Sequence, residues 1–421
     1  MNNKSAKGIT LVALIITIII LLILAGVSLS MILGDNGLIK KAQASVDAYQ
    51  QAALNEQNLL DSIESYMGNY GLPENTPTTP AGTHVKPPAK WLGTIVDAVA
   101  DGKGNTFPVP KSFYYVGGDY TNGVIISDDP ADAYDGTTDK TTWEYTTSLV
   151  GNQFVWIPCT PAEYIKTSWG MVYGGYDAES GAGAEMMQVA KYGGFYVGRY
   201  EAGLADTIAE YTGNQISSSS IYNLAGIPKS KAGELPWIFI SQTNSKKSAE
   251  NMYNTDEKHS DYVTSGLITG TQWDVMLNRF IGTTNANGVT FTEADMKNSS
   301  KWGNYASSAT TYTGRSATLF QSGSNWYISP WGAKQTDAKT ATYTEYTTGA
   351  SKKTEAYHTY DIAGNVWEWT EEVGQGTAYR VLRGGSCDNA SGSYPACCRH
   401  GNNSVSFVYY LVGFRAVLYI K

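Results

Sequence analysis

The chain begins with one long apolar block and then changes its hydrophobic period twice. Ile9 to Leu33 runs 25 residues without a charge. As a helix it reaches about 37 Å, enough to cross a bilayer. A secretory hydrophobic segment is shorter, so the run reads as a retained anchor. Gly34 to Gly37 (GDNG) stops it by composition. From Leu38, positions Ile39, Ala42, Val46, Tyr49, Ala53, Leu60, Ile63 and Met67 recur in steps of three and four, interrupted only by the polar Glu56. That seam predicts a second helix. It suits packing on the chain's own head or on a like neighbour as well as it suits a self-associating stalk. Gly71 to Trp91 is rich in Pro and Thr and reads as an extended linker.

Beyond Trp91 the period shortens. Runs such as FYYVGG (Phe113–Gly118), GVIIS (Gly123–Ser127), NQFVWIP (Asn152–Pro158) and GGFYVGRYE (Gly193–Glu201) alternate with Gly, Asn and Asp turns and predict short strands. Two stretches predict amphipathic helices with Ser or Thr caps, Ser241–Tyr253 and Thr269–Phe280. The expected plan is therefore an anchor over residues 1–37, a helical stalk over 38–70, a linker over 71–91, and an irregular α+β head over 92–421.

Composition narrows the function classes. Only 16% of residues are charged, while Gly (44) and Tyr (30) are abundant, a profile that suits a loop-rich extracellular head. A net charge of −8 and the lack of a basic stripe argue against a nucleic-acid partner. The four cysteines, Cys159, Cys387, Cys397 and Cys398, show no zinc-type spacing. The histidines are His84, His259, His358 and His400, and no Ser/His/Asp order accompanies them.

Lys7 to Gly26 (KGITLVALIITIIILLILAG) resembles the N-terminus of type IV prepilins. In that family a peptidase cuts after a glycine, here Gly8, and the new N-terminal residue, here Ile9, opens the apolar helix. The family carries Glu at the fifth mature position, where this chain has Ala13. That departure favours anchoring over filament assembly. Lys4 and Lys7 favour an N-terminus inside, although Lys40 and Lys41 weaken the bias. The expected location is the cell membrane or a surface pilus, with the head outside.

Six phrases in the head occur in order: FVWIP (Phe154–Pro158), GGFYVGRYEAG (Gly193–Gly203), LITGTQWDVML (Leu267–Leu277), YDIAGNVWEWTEE (Tyr360–Glu372), RVLRGGS (Arg380–Ser386) and GFRAVL (Gly413–Leu418). Together they resemble the formylglycine-generating-enzyme (sulfatase-modifying factor) family over roughly residues 150–421. The resemblance implies a variant of the C-type lectin fold. Trp367 and Trp369 share one face of a strand and Glu368 the other, so the tryptophans are expected to fill a core. Arg383 and Arg415 are expected to pair with Asp361, Glu368 or backbone carbonyls.

The family's enzymes hold copper between two cysteines spaced C-x4-C after the GGS phrase. Here Cys387 follows Ser386, and nine and ten residues separate it from Cys397 and Cys398. The pattern is not met, so no copper and no enzymatic activity are expected. The same resemblance implies a structural calcium ion held by Asp361, Gly364, Val366 and Glu368, through hard oxygen donors.

The tract between RGGS and GFR, Cys387 to Val412, draws 12 of its 26 residues from Ser, Asn, Tyr and Gly. Antibody paratopes favour the same types, Tyr for stiff contact area and the small polar residues for adaptability. The tract lacks Lys, Glu, Gln, Met and Trp, the residue types that Asn codons cannot reach by replacement of adenines. This resembles the variable proteins of diversity-generating retroelements. The expected diversified, ligand-binding positions are Cys387, Asp388, Asn389, Ser393, Tyr394, Cys397, Cys398, His400, Gly401, Asn402, Asn403, Ser404, Val405, Ser406, Phe407, Val408, Tyr409 and Tyr410. An ordinary polar loop explains the same residues without diversification. The reading is a surface-anchored binding protein for a protein or glycan ligand. Its rivals are a pilin-like subunit with a decorative head and a copper-dependent cysteine oxidase.

Overall fold

FVWIP carries large apolar side chains at successive positions, which suits a strand buried on both faces. The computed structural model describes residues 79–170, 172–173, 184–210, 223–322, 324–339 and 342–421, together with Ile16, Ile18 and Ile19. The chain divides into two units, Met1–Pro77 and Thr78–Lys421, and every described strand belongs to the second. The apolar run, the heptad seam and the Gly8–Ile9 junction lie outside the described residues, apart from the three helical isoleucines. No helix among the described residues is long and apolar enough to cross a membrane.

The head starts earlier than the linker reading expects. Residues 79–91 do not form a free spacer. Gly82 and Val85 donate backbone hydrogen bonds to Ala100 and Ala98, His84 bridges to Val99, and Trp91 is buried. These residues brace the hairpin of β1 (Val96–Ala100) and β2 (Thr106–Pro110). An indole that must be buried fixes the proline-rich stretch before it.

A six-stranded antiparallel sheet forms the centre. It contains β3 (Tyr114–Gly117), β4 (Val124–Ser127), β5 (Gln153–Pro158), β7 (Gly194–Gly198), β8 (Val263–Leu267) and the C-terminal β13 (Ala416–Ile420), in the order β3-β4-β5-β7-β13-β8. Along β5, Phe154 and Trp156 enter one hydrophobic cluster while Val155 and Ile157 enter the other. The sheet is thus covered on both faces, which is why its strands read as continuous apolar runs.

Helices supply part of the cover. Helix α1 (Ala184–Tyr192) places Val189 in the second cluster and Tyr192 in the first. Helix α2 (Gln242–Asn251) has Ser241 as its cap and puts Ala249 in the first cluster. Helix α3 (Gly270–Phe280) starts at a capping box, Thr269 with Gln272, and contributes Trp273, Met276, Leu277 and Phe280 to the second. The short α4 (Glu293–Lys297) completes that side.

The second large sheet is mixed. It contains β6 (Val172–Tyr173), β9 (Trp367–Val373), β10 (Tyr379–Arg383), β11 (Arg399–Ser404) and β12 (Val412–Phe414), in the order β12-β9-β10-β11-β6. β12 and β13 are separated only by Arg415, so the chain crosses between sheets at that residue. Its buried guanidinium donates to both carboxylate oxygens of Glu368 (2.7 and 3.1 Å) and to the carbonyls of Gly198 and Tyr360. The expected Arg415–Glu368 pair is present and ties the two sheets together. The architecture is mixed α and β, mostly sheet.

Gly385 illustrates how closely the frame approaches the C-terminal tract. It has φ +75°, and an added Cβ would lie 2.2 Å from the Tyr394 carbonyl oxygen. Gly376 has φ +93° but open space around the same position. Chemical denaturation is expected to show that Gly376→Ala costs about 1–2 kcal/mol, the left-handed backbone term alone. Gly385→Ala adds overpacking against an immovable backbone atom and costs about 3–4 kcal/mol. Equal losses would contradict this close approach.

Candidate functional site

The period of two along β9 puts Trp367 and Trp369 on one face, and each serves as the floor of one aromatic group. Trp367 meets Tyr394 edge-on at 5.5 Å and His400 at 5.6 Å. Trp369, fully buried, donates its indole N–H to the Ile240 carbonyl (2.9 Å) and meets Phe407 edge-on at 6.3 Å. Phe407 stacks on Tyr409 (5.6 Å), which tilts against Tyr410 (4.2 Å). The tryptophans are buried, as expected, and the aromatic residues of the tract rest on them.

The edge strand β6 adds a residue the sequence reading omits. It pairs in parallel with β11, His400 opposite Tyr173. The exposed Tyr173 ring lies 5.1 Å from Tyr394 and 6.2 Å from His400, and its hydroxyl donates to the Ser393 carbonyl (3.0 Å). One tyrosine among 30 carries no local signal of this role.

The tract is held largely through its main chain. The Arg383 guanidinium donates to the carbonyls of Cys397 (2.7 Å) and Cys398 (3.1 Å). Trp273 donates to the Ala396 carbonyl, and the Ala396 N–H donates to the Ser299 hydroxyl. The Cys387 N–H donates to the Asn365 carbonyl, and the N–H groups of Phe239 and Trp367 donate to the carbonyls of Tyr409 and Leu411. None of these contacts uses a side chain of the tract.

Side chains of the tract also take part: Asp388 and Asn389 accept from the Ser386 hydroxyl, Ser391 donates to the Asn298 side-chain oxygen, and the deepest anchor is Arg399. Fully buried, it pairs with Asp274 of α3 and with Glu372 of β9, the latter at 2.9 Å. Arg383 pairs with the same two carboxylates, and Lys166 reaches Glu372 at 2.6 Å. Burial alone raises the Glu372 carboxyl, yet Arg383, Arg399 and Lys166 hold it below the ordinary range. Asp274 also accepts from the Trp169 indole and the Thr167 N–H. An acid flanked by apolar residues in LITGTQWDVML was the available signal, since such a residue needs a buried partner.

The expected diversified positions fall into three groups. Ser393, Asn402, Ser406 and Tyr409 are exposed. Asp388, Asn389, Tyr394, His400, Asn403, Ser404, Val405, Phe407 and Val408 are half-buried. Cys387, Cys397, Cys398, Gly401 and Tyr410 are buried, which corrects their placement on a contact surface. These five pack inward, the cysteines in the two hydrophobic clusters, because the frame grips the backbone beside them.

The thiols lie inside the packed clusters. All four cysteines are free. Burial, followed by the Glu345 carboxylate, pushes Cys387 well above its ordinary range. Burial pushes Cys397 up to about 11 and Cys398 up to about 12. The thiolate, which is the metal ligand and nucleophile, is disfavoured at all three.

Of the residues expected to hold calcium, the Asp361 and Glu368 carboxylates are met by donors of the chain itself. The Asp361 oxygens accept from the Thr354 hydroxyl (2.6 Å) and the Gly349 N–H (2.7 Å). Both Glu368 oxygens accept from Arg415, and the Gly364 and Val366 N–H groups donate to the Gly384 carbonyl and to Glu201. Burial, then Asp361 and Glu368, push the Glu201 carboxyl well above the ordinary carboxylate range. A guanidinium supplies the positive charge that the resemblance assigns to a cation. No group of three or more His, Cys, Asp or Glu among the described residues is arranged to hold a metal.

Residues 286–420 match the model of the sulfatase-modifying factor enzyme 1-like domain. This bears out the resemblance over the C-terminal part of the head. The three earlier phrases precede the matched segment but pair or pack with it, β7 directly on β13. No curated protein matches the chain. Among solved structures, variable protein 1 of Treponema denticola aligns over 65% of this chain and 97% of its own, with 15% identity and a TM-score of 0.29.

Arg383→Met leaves buried carboxylates short of a partner and frees the carbonyls of Cys397 and Cys398. Denaturant unfolding is expected to show a loss of about 3–5 kcal/mol. Ser406→Ala, on the exposed face, stays within about 0.5 kcal/mol of wild type. Comparable losses would show that the tract is not organised by its buried frame.

Proposed function

We propose that the head is a non-enzymatic ligand-binding module whose C-terminal tract presents a recognition surface for a protein or glycan. The observation that carries this reading is the way the tract is held. Its contacts to the frame run largely through main-chain atoms and the buried Arg399, leaving Ser393, Asn402, Ser406 and Tyr409 exposed and interchangeable. A preorganised loop loses less conformational entropy when it binds. Aromatic rings backed by Trp367 and Trp369 supply stiff contact area, and small polar residues supply adaptable hydrogen bonding.

The restricted alphabet of the tract supports diversification by a retroelement, with the frame holding the backbone while the exposed positions vary. Cysteines at buried positions suit that reading as products of randomisation that the core accepts. Their burial favours it over copper-dependent cysteine oxidation. The apolar run Ile9–Leu33 supports attachment to a membrane or pilus, with the head displayed outside the cell.

Two measurements test the proposal. Cells displaying the full chain are probed on glycan and protein arrays. Tyr409→Ala and Tyr173→Ala are each expected to lower adhesion about tenfold, the scale of an aromatic hot spot, with the melting temperature unchanged. Adhesion that survives replacement of all four exposed residues contradicts the reading and favours a decorative pilin head. In the genome, a near-copy of the coding segment for residues 387–410, differing mainly at adenines and beside a reverse-transcriptase gene, is expected. Sister isolates with an unchanged tract and a drifting frame would refute diversification.

A further inference from the structure

In a chain with net charge −8, three lysines gather without an acidic partner. Lys339, Lys352 and Lys353 line a cavity of about 330 Å³ whose walls also include Asn287, Thr310 and Ser351 but no carboxylate. Among the described residues no carboxylate pairs with any of the three. Lys353 donates to the Ala309 carbonyl (2.7 Å), and Lys339 to the Asn304 side-chain oxygen (3.1 Å) and the Tyr305 carbonyl. An ammonium has three donors, so Lys353 keeps two and Lys339 one. Lys352 stands at the exposed rim.

One further group belongs to the same wall. The Thr310 hydroxyl is buried and has no hydrogen-bond partner. A buried donor left unmatched is costly. Burial lowers both Lys339, to about 8, and Lys353. The Cys387 thiol works against the Lys339 shift, and the charge on Lys353 adds to it. What the cavity lacks is a counter-charge rich in acceptors.

We infer that this cavity binds a tetrahedral oxyanion, phosphate or sulfate, either free or as the ester of a small sugar. Such an ion accepts from several ammonium groups at once. The volume exceeds that of a bare ion and falls at the small end of ligand pockets, leaving room for a substituent. None of the exposed tract residues lines it, so its failure would leave the recognition surface standing, and the reverse also holds.

The test is isothermal titration calorimetry on the full chain with sodium phosphate, sodium sulfate and glucose 6-phosphate, against sodium chloride at equal ionic strength. Saturable binding of at least one oxyanion is expected. Lys353→Met and Lys352→Glu should each weaken it about tenfold or more, the scale of one charge-assisted hydrogen bond. Lys352 is exposed, so its charge reversal keeps the fold, which the melting temperature checks. Tighter binding of glucose 6-phosphate than of phosphate assigns an esterified ligand, and equal affinity assigns the free ion. No saturable binding of any of the three, or affinity unchanged in both variants, overturns the inference.

Discussion

Two carboxylates and two guanidiniums, all fully buried, hold the C-terminal tract against the frame: Asp274 and Glu372 with Arg383 and Arg399. A buried ion network of this kind contributes little net stability compared with apolar packing, yet breaking it is costly. Its use here is positional. Arg383 is held in place by the acids and in turn fixes the carbonyls of Cys397 and Cys398. Arg399 plants one side chain of the tract in the same cluster. The alternatives to this one backbone path would leave charges buried and unpaired.

From that constraint follows a division between frame and face. Below the tract lie two tryptophans of β9, the Glu368–Arg415 tie between sheets and β13, an interior strand of the six-stranded sheet. Above it lie the exposed side chains of Ser393, Asn402, Ser406 and Tyr409. Trp367 and Trp369 belong to both layers, since they fill the core and support Tyr394, His400 and Phe407 from beneath. Tyr173 extends the face with a ring from a distant part of the chain. The buried cysteines mark where the division falls inside the tract itself.

Much of the frame was legible because local patterns determined it. The Thr269–Gln272 capping box, the Ser241 cap and the apolar runs of β4, β5 and β7 all encode their elements over a few residues. The pairing of Arg415 with Glu368 was legible from the motif phrases. Less was legible wherever distant residues meet. Asp274 and Arg399 are 125 positions apart, and nothing local announces their contact. Tyr173 joins the face only because β6 pairs with β11. The linker reading of residues 79–91 failed for a related reason: Pro and Thr suggest an extended chain, but Trp91 and the backbone bonds to β1 fold it down. Burial of Cys387, Cys397 and Cys398 was equally out of reach, since alphabet alone does not say which side chains of a loop turn inward. The calcium expectation came from resemblance, and the donors that meet Asp361 and Glu368 were not legible in the motif phrases.

The central claim is that the frame specifies the tract's backbone while leaving its exposed side chains free. A library randomised at Ser393, Asn402, Ser406, Tyr409 and Arg399, displayed as the full chain and sorted for resistance to protease, tests it directly. The account predicts that the four exposed positions accept most residue types and that Arg399 is recovered almost only as arginine. Selection as narrow at the four exposed positions as at Arg399 would contradict it.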